Sequence, residues 1–547
     1  MLKKLLVKIE NANIGFKELV VGFSAIVFVR IFLENFSSIP LSGVITSNTS
    51  TILHYFLYYT VNTLSVALIL GLSVGNFRKA WNFILFGLLI EWLPPIYDLI
   101  VSAGNGYPMH YPPIDSWQVL LGHFFMVGGG AVNLTTPGQT LQISLIVVGI
   151  LIYVILSTKS ITRGVVAALL SYSAIFFWAT SPTIIKVIND FFHPEVAGQT
   201  LIQFFSAEIS RSMLIKNFLH PTISVQPLRA YEIFFGVTMS SFYYIAASVL
   251  IVAILLLMDK RKTLATLGNS RMIHAVYYYA ILVSGFLVAI NLTGSIIAFG
   301  WLDSFSLLSL AVASFCARMF AVGINDLYDI EIDKISHPKR PLPSKTLTEG
   351  DIKDANLFFL IWALVGAFIV GHYVFFMMLV IISVSYIYSA PPLRLKRIPL
   401  FANFLMSLAY FSLFASGFFM ASADQSIRAL PIRYLFLITI VFTLGTTVKD
   451  LKDIDGDRAA GVMTIPVIIG RNNGRRIIGL LLSSAFFLVP IILNIRTILI
   501  PSLIAAIAGY LIVVSNHYKD NFIFILYIAY IIVIISIVLS GVSAPLY

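Results

Sequence analysis

Residues Asn325 to Pro343 read N-D-L-Y-D-I-E-I-D-K-I-S-H-P-K-R-P-L-P, four acids followed by three bases. Charged residues of all kinds make up only 11% of this chain. A second acidic stretch, Lys449 to Asp457, reads K-D-L-K-D-I-D-G-D. Aligned on their first Asp, the octads D-L-Y-D-I-E-I-D and D-L-K-D-I-D-G-D agree at five positions and place Glu331 opposite Asp455. Asp326, Asp329 and Asp333 sit at i, i+3 and i+7, and so do Asp450, Asp453 and Asp457. On a helix that spacing puts three carboxylates on one face, with Asn325 beside Asp329 one turn earlier. Glu331 and Asp455 point elsewhere.

Like charges on one stripe repel unless a positive partner sits among them. A hard divalent cation such as magnesium takes oxygen ligands and bridges readily to phosphate. Two facing stripes with magnesium between them would therefore clamp a diphosphate.

The setting is a membrane. The 547 residues are 59% hydrophobic with a mean hydropathy of +0.92, which excludes an ordinary soluble globular protein. Long apolar runs recur from end to end, each able to span a bilayer as a helix. The fold class expected is an all-α polytopic membrane protein. The net charge of +11 does not point to nucleic acid, because the bases cluster in short loops between apolar runs. The single cysteine, Cys316, rules out an internal disulfide framework. No cleavable signal peptide is evident, and the first long apolar run reads as a first span.

Hydropathy predicts six spans before residue 260, at about 16–36, 52–74, 81–101, 141–157, 164–187 and 236–258. Nine more follow, at about 275–299, 305–325, 356–371, 373–389, 400–421, 433–448, 477–494, 498–515 and 521–541. The expected organisation is a membrane domain over 1–265 and a second, nine-span domain over 270–547. Bases at Arg78–Lys79, Lys159–Arg163, Lys260–Lys262, Lys334–Lys353, Arg394–Arg397, Lys449–Arg476 and Lys519 fall on one side. The positive-inside rule makes that side cytoplasmic, so both acidic stretches lie at cytoplasmic span ends.

The first half holds two long non-cytoplasmic loops, roughly 102–140 and 188–235, of a length usually tied to function. Leu201–Ile215 reads as an interfacial helix. Glu91 and Asp98, intramembrane acids on the third span, are functional candidates. Gly128–Gly130 reads as a flexible loop, since no strand precedes it, and the N-x-[ST] sequons at Asn48, Asn133 and Asn291 are weak signals.

Around the acidic stretches stand residues suited to an anionic ligand. Arg318 lies two helical turns above Asn325 and, being costly in a membrane, should face the carboxylates or an anion. Tyr386 to Arg397 reads Y-I-Y-S-A-P-P-L-R-L-K-R, a Pro-Pro turn followed by Arg394, Lys396 and Arg397. Arg and Lys bind phosphate oxygens, and aromatic faces stabilise a nearby cation. His337 is expected to be structural or exposed, because an oxygen-rich site suits magnesium and not zinc. Magnesium, bases, aromatics and an apolar pocket together suit ionisation of an allylic diphosphate and transfer of its prenyl cation.

The motifs N-D-x-x-D-x-x-x-D with P-K-R-P-L-P-S, then Y-S-x-P-P with bases, then D-x-x-D-x-x-x-D with G-V-M-T-I-P resemble the UbiA superfamily of intramembrane prenyltransferases, over roughly 270–547. The resemblance implies a nine-helix bundle that is Mg2+-dependent and takes a polyprenyl diphosphate and a lipid-soluble acceptor. It matches Asn325, Asp329, Asp333, Asp453 and Asp457 to the magnesium and diphosphate site, with Asp329, Asp333, Asp453 and Asp457 catalytic, and the stripe geometry adds Asp326 and Asp450 as metal ligands. Arg318, Lys334, Arg340, Arg394, Lys396 and Lys452 would contact diphosphate, and Tyr386 and Tyr388 the prenyl cation.

In motif form the stretch is most similar to archaeal digeranylgeranylglyceryl phosphate synthases and to the chlorophyll and homogentisate branch. That makes geranylgeranylglyceryl phosphate the first acceptor expected, an aromatic quinone precursor the second and a phosphoribosyl donor reaction the third. Two departures stand out. Lys345 occupies a position where the family commonly has Gly, and Met463 one where a Lys commonly precedes the Thr; Lys452 or Arg458 could substitute. The alternative class is a non-enzymatic transporter or lipid-handling protein using acids for ion coupling. Transporters usually bind near the bilayer midplane, however, whereas these acids sit at the cytoplasmic rim. The resemblance implies a multi-pass protein of the cell membrane with its active site on the cytoplasmic side, and it leaves residues 1–265 without a role.

Overall fold

The computed structural model describes residues 2–42, 49–107, 117–126, 135–194, 198–211, 227–293, 300–422, 427–459, 461–515 and 518–540. The sequons at Asn48 and Asn133 and the Gly128–Gly130 loop lie outside them. Among the described residues every regular element is a helix. Fifteen helices are long and apolar enough to cross a membrane, six before residue 260 and nine after. Their bounds agree with the hydropathy spans to within a few residues for most of the chain. The protein is an all-α, multi-pass integral membrane protein.

The fifth span departs from expectation. One span was expected over 164–187; instead one helix runs Ile161–Ala179 and a second Ser181–Phe192. Pro182 stands at the start of the second helix, where a missing N–H costs nothing and the ring blocks continuation of the first. Where an interfacial helix was expected, a helix runs over Leu201–Arg211, with Phe204 and Phe205 buried.

Asp98 also has a task other than the one expected of an intramembrane acid. Its carboxylate accepts from Thr136 Oγ1 (2.5 Å) and from the Gly138 amide (2.7 Å). It thus satisfies free donors at the N-terminus of the Pro137–Thr158 helix, a structural use of charge.

The chain divides into two compact units, one within Met1–Arg211 and Val225–Met258, the other centred on Asp259–Tyr547. Large aliphatic and aromatic side chains such as Ile500, Ile504, Ile507 and Leu511 are exposed along the second unit, as expected of surfaces that face lipid. Inside it, close packing replaces the hydrophobic effect as the source of helix association. The Met272–Thr293 and Phe401–Ala421 helices approach closely at Gly285 and Gly417. A Cβ at Gly285 would lie 1.9 Å from the Phe414 carbonyl oxygen, and one at Gly417 2.0 Å from that of Leu282.

Neither acidic stretch is a continuous helix, which corrects the single-stripe expectation. The Asp303–Tyr328 helix stops before Asp329, whose backbone (φ −112°, ψ 17°) is not helical, and Ile330–Ser336 forms a separate short helix. The second stretch runs from the Ile432–Gly445 helix into a 3-10 segment, Thr446–Leu451, and resumes as Ile454–Ala459. Asp side chains compete with the helix for backbone hydrogen bonds, and crowded like charge adds to the cost of a straight stripe. The breaks turn the acids inward from two directions.

Candidate active site

The two acidic stretches meet where the Ile330–Ser336 and Ile454–Ala459 helices touch. Gly456 makes the contact possible, since a Cβ there would lie 2.5 Å from Ser336 Oγ and 2.9 Å from Ile332 Cγ2. His337 Nε2 bonds Asp453 Oδ1 at 3.0 Å and ties the loop after the first stretch to the second. His337 is therefore structural, as expected.

Between them opens a cavity of about 300 Å3. Asn325, Asp329, Asp333, Asp450, Asp453 and Asp457 line it, with Arg271, Arg318, Arg340, Lys396, Lys449 and Lys452. Tyr277, Tyr278, Tyr388, Tyr410, Phe524 and Tyr527 line the same cavity. Acids, bases and aromatics far apart in sequence thus share one chamber.

Each acid of the first stretch has a basic or amide partner. Asp329 accepts from Asn325 Nδ2 (2.5 Å), Arg394 Nη2 (3.1 Å) and the Lys396 ammonium. Asp333 is bonded by Arg340. Lys449 donates to the Tyr388 hydroxyl at 2.7 Å, with its ammonium 4.7 Å from that ring's centre. Arg318 does not pair with an acid: it donates to the Ser270 carbonyl (2.7 and 3.3 Å) and stands 5.8 Å from the Tyr278 ring centre. Its place in the cavity wall leaves the expected encounter with an anion open.

The protonation balance is uneven. Burial pushes Asp457 up to about 7, and the neighbouring Asp453 and Asp450 carboxylates reinforce the shift. Burial works to raise Asp453 too, but the His337 hydrogen bond and the charge of Lys452 outweigh it and hold Asp453 below the usual carboxylate range. Asp333 is raised by burial, partly offset by Arg340. Burial lowers Lys396, against the opposing pull of Asp329.

Among the described residues, no three acidic, histidine or cysteine side chains converge in a metal-holding geometry. Asp329 and Asp333 are paired with bases, which is how buried acids are neutralised. The donor set nonetheless fits a hard divalent ion. It is all oxygen, Asp333 Oδ2 is buried with no hydrogen-bond partner, and Asp457 stands beside the Asp453 and Asp450 carboxylates, whose charge Lys396 offsets only in part.

Four expected residues, Asp326, Lys334, Tyr386 and Arg394, fall outside the cavity wall. Asp326 is buried and turned toward the preceding connector, accepting from Asn269 Nδ2 (2.6 Å) and lying 3.8 Å from Arg340 and 4.0 Å from Arg271. Lys334 pairs on the surface with Glu331 at 2.7 Å. Tyr386 is exposed, whereas Tyr388, two residues on, faces in. Arg394 reaches Asp329 from the rim, also donating to the Tyr328 carbonyl (2.9 Å).

Sequence reasoning missed Arg271 and Lys449 as site residues. Arg271 lies in none of the quoted motifs; Lys449 stands in one, and its position one residue before the first Asp was the available signal. Lys345 adopts φ +59°, a left-handed conformation that explains why Gly suits that position. Met463 is exposed, and of its two possible substitutes Lys452 lines the cavity while Arg458 does not.

Residues 286–522 match the UbiA prenyltransferase family model. The chain is 32% identical over 181 residues to a chloroplastic chlorophyll synthase of Arabidopsis thaliana, covering 31% of this chain and 45% of that protein. It is 36% identical over 184 residues to a digeranylgeranylglyceryl phosphate synthase of Methanoculleus marisnigri, covering 33% and 62%. The chain spans about half the length of the curated chlorophyll synthases it matches. A solved UbiA homolog from Archaeoglobus fulgidus, bound to GPP and Mg2+, aligns with 50% of this chain and 99% of its own at 21% identity, with a TM-score of 0.38. Over residues 286–522 the chain is thus similar to the UbiA prenyltransferase family.

Proposed function

We propose that the unit over roughly 270–547 transfers a polyprenyl group from an allylic diphosphate to a lipid-soluble acceptor, with magnesium, at the cytoplasmic side of the cell membrane. One observation carries this reading: both acidic stretches, six basic side chains and an aromatic wall line a single cavity. Asn325, Asp329, Asp333, Asp450, Asp453 and Asp457 would hold magnesium, which when bound supplies Lewis-acid stabilisation of the diphosphate charge.

The chain's own residues do the rest. Arg318, Arg340, Lys396 and Lys452 bind the diphosphate oxygens and, with Arg271 and Lys449, balance the charge that grows as the allylic C–O bond breaks. The faces of Tyr388 and Tyr410 stabilise the prenyl cation. Aromatic walls exclude water, which would otherwise capture it. The electron pair of an acceptor oxygen or carbon forms the new bond, and the displaced proton leaves with the diphosphate or to solvent.

The acceptor we propose is an isoprenoid glyceryl phosphate, on the strength of motif form and of the archaeal synthases among the relatives; an aromatic acceptor is the second reading, favoured by a probable homogentisate phytyltransferase among them. Equilibrium binding of labelled geranylgeranyl diphosphate to the purified chain, with magnesium and then with chelator, tests the site. Binding that survives chelation unchanged sinks the proposal.

A further inference from the structure

The first unit holds a cavity of its own, of about 310 Å3, that no acidic motif or family match touches. On the Thr49–Val74 helix its lining runs from Tyr55 through Tyr59, Asn62 and Val66 to Leu70, one helical face about 22 Å long at 1.5 Å per residue. The Leu70 end is hydrocarbon, with Phe83, Ile146 and Ile150. The other end is polar and holds Arg30, Glu91 and Gln142.

The polar end is built. Arg30 is 1% exposed; it donates to the Tyr59 hydroxyl (3.0 Å) and to Glu34 (2.5 Å), so its charge is already matched. Glu91 is 9% exposed and lines the cavity, yet its Oε2 has no hydrogen-bond partner. Asn62 Oδ1, on the same wall, is also buried and unbonded. Orphaned buried acceptors of this kind are costly, and intramembrane acids are rarely idle.

Both orphans are acceptors, so the missing partner is a donor. An anionic head supplies no donor and would meet the Glu91 carboxyl group. A cationic head would carry its own desolvation cost into the membrane interior. An uncharged head with two hydroxyls satisfies Glu91 and Asn62 at once, and the apolar length takes its tail.

We infer that the first unit binds a single-chain lipid with an uncharged polyhydroxyl head, its hydroxyls donating to Glu91 Oε2 and Asn62 Oδ1 and its chain lying along Val66, Leu70 and Ile146.

The test uses the full chain in detergent and a photoreactive 1-O-hexadecylglycerol, with hexadecylamine and palmitate as competitors. Gly149 lines the cavity, and a Cβ there would meet nothing within 4 Å, so Gly149→Phe adds its bulk at an open position of the wall. The expected result is saturable labelling of cavity peptides, lowered at least roughly tenfold by Gly149→Phe and by Glu91→Leu, and largely kept by Glu91→Gln, which retains an acceptor. Melting temperature and gel-filtration profile show that each variant is folded. Labelling that does not saturate, or that a folded Gly149→Phe leaves unchanged, overturns the site. Stronger competition by the amine or by palmitate than by unlabelled hexadecylglycerol overturns the head-group assignment.

Discussion

In the structure Lys396 neutralises Asp329, and both side chains are only 8% exposed. If Asp329 is to hold magnesium, that pair must open, and the freed ammonium is then available to the diphosphate. Replacing Lys396 by Met should therefore change two affinities in opposite directions. Removing a buried partner outright costs about 3–5 kcal/mol, but Arg394 (3.1 Å) and Asn325 (2.5 Å) still reach Asp329. A charge-assisted hydrogen bond of about 1.5–3 kcal/mol is the better measure, corresponding to roughly 10- to 100-fold in affinity. Magnesium titrated by calorimetry without diphosphate should bind Lys396→Met more tightly by that factor. Labelled geranylgeranyl diphosphate at saturating magnesium should bind it more weakly by a similar factor. If both affinities fall together, or magnesium binding does not move, the exchange of partners is wrong.

Three further outcomes follow from the same geometry. Asp457 stands near 7 before a cation arrives and must lose its proton to act as a ligand, so magnesium affinity should rise with pH through about 7 and level off above it; Asp457→Asn should flatten that profile. Arg340 bonds Asp333 and stands 3.8 Å from Asp326, two acids only 4% and 2% exposed in their side chains. Arg340→Ala should cost about 3 kcal/mol of stability, read as a lower melting temperature that Arg340→Lys partly restores. Lys345 at φ +59° carries strain of about 1 kcal/mol that glycine would not, so Lys345→Gly should raise the melting temperature slightly; a fall would show that the Lys345 side chain contributes more than its backbone costs.

Much of this was legible in the chain. Fifteen apolar runs appear in sequence because every membrane helix must satisfy its backbone internally and present hydrocarbon outward. The two acidic octads announced themselves because charge is scarce here. Their geometry was less legible. Period alone placed Asp326, Asp329 and Asp333 on one stripe, but the helix breaks at Asp329 and turns Asp326 away toward Asn269. Arg271 enters the site through tertiary packing, which no local pattern encodes, whereas Lys449 stood beside the second acidic octad. Asp98 was a candidate for function by its depth alone, and a helix N-terminus forty residues on claims it. Glu91 carried the same signal, and its free oxygen emerges only once the neighbouring helices are in place.

The central claim is that the two acidic stretches form one magnesium–diphosphate site for prenyl transfer. The most direct measurement is product formation by the purified chain with labelled geranylgeranyl diphosphate and magnesium, offering geranylgeranylglyceryl phosphate and an aromatic acid as rival acceptors. The account predicts product on the glyceryl phosphate, lowered at least about 100-fold by either Asp329→Ala or Asp453→Ala, as expected when a group that stabilises transition-state charge is removed. Full activity in either folded variant, or turnover unchanged in chelator, would contradict it.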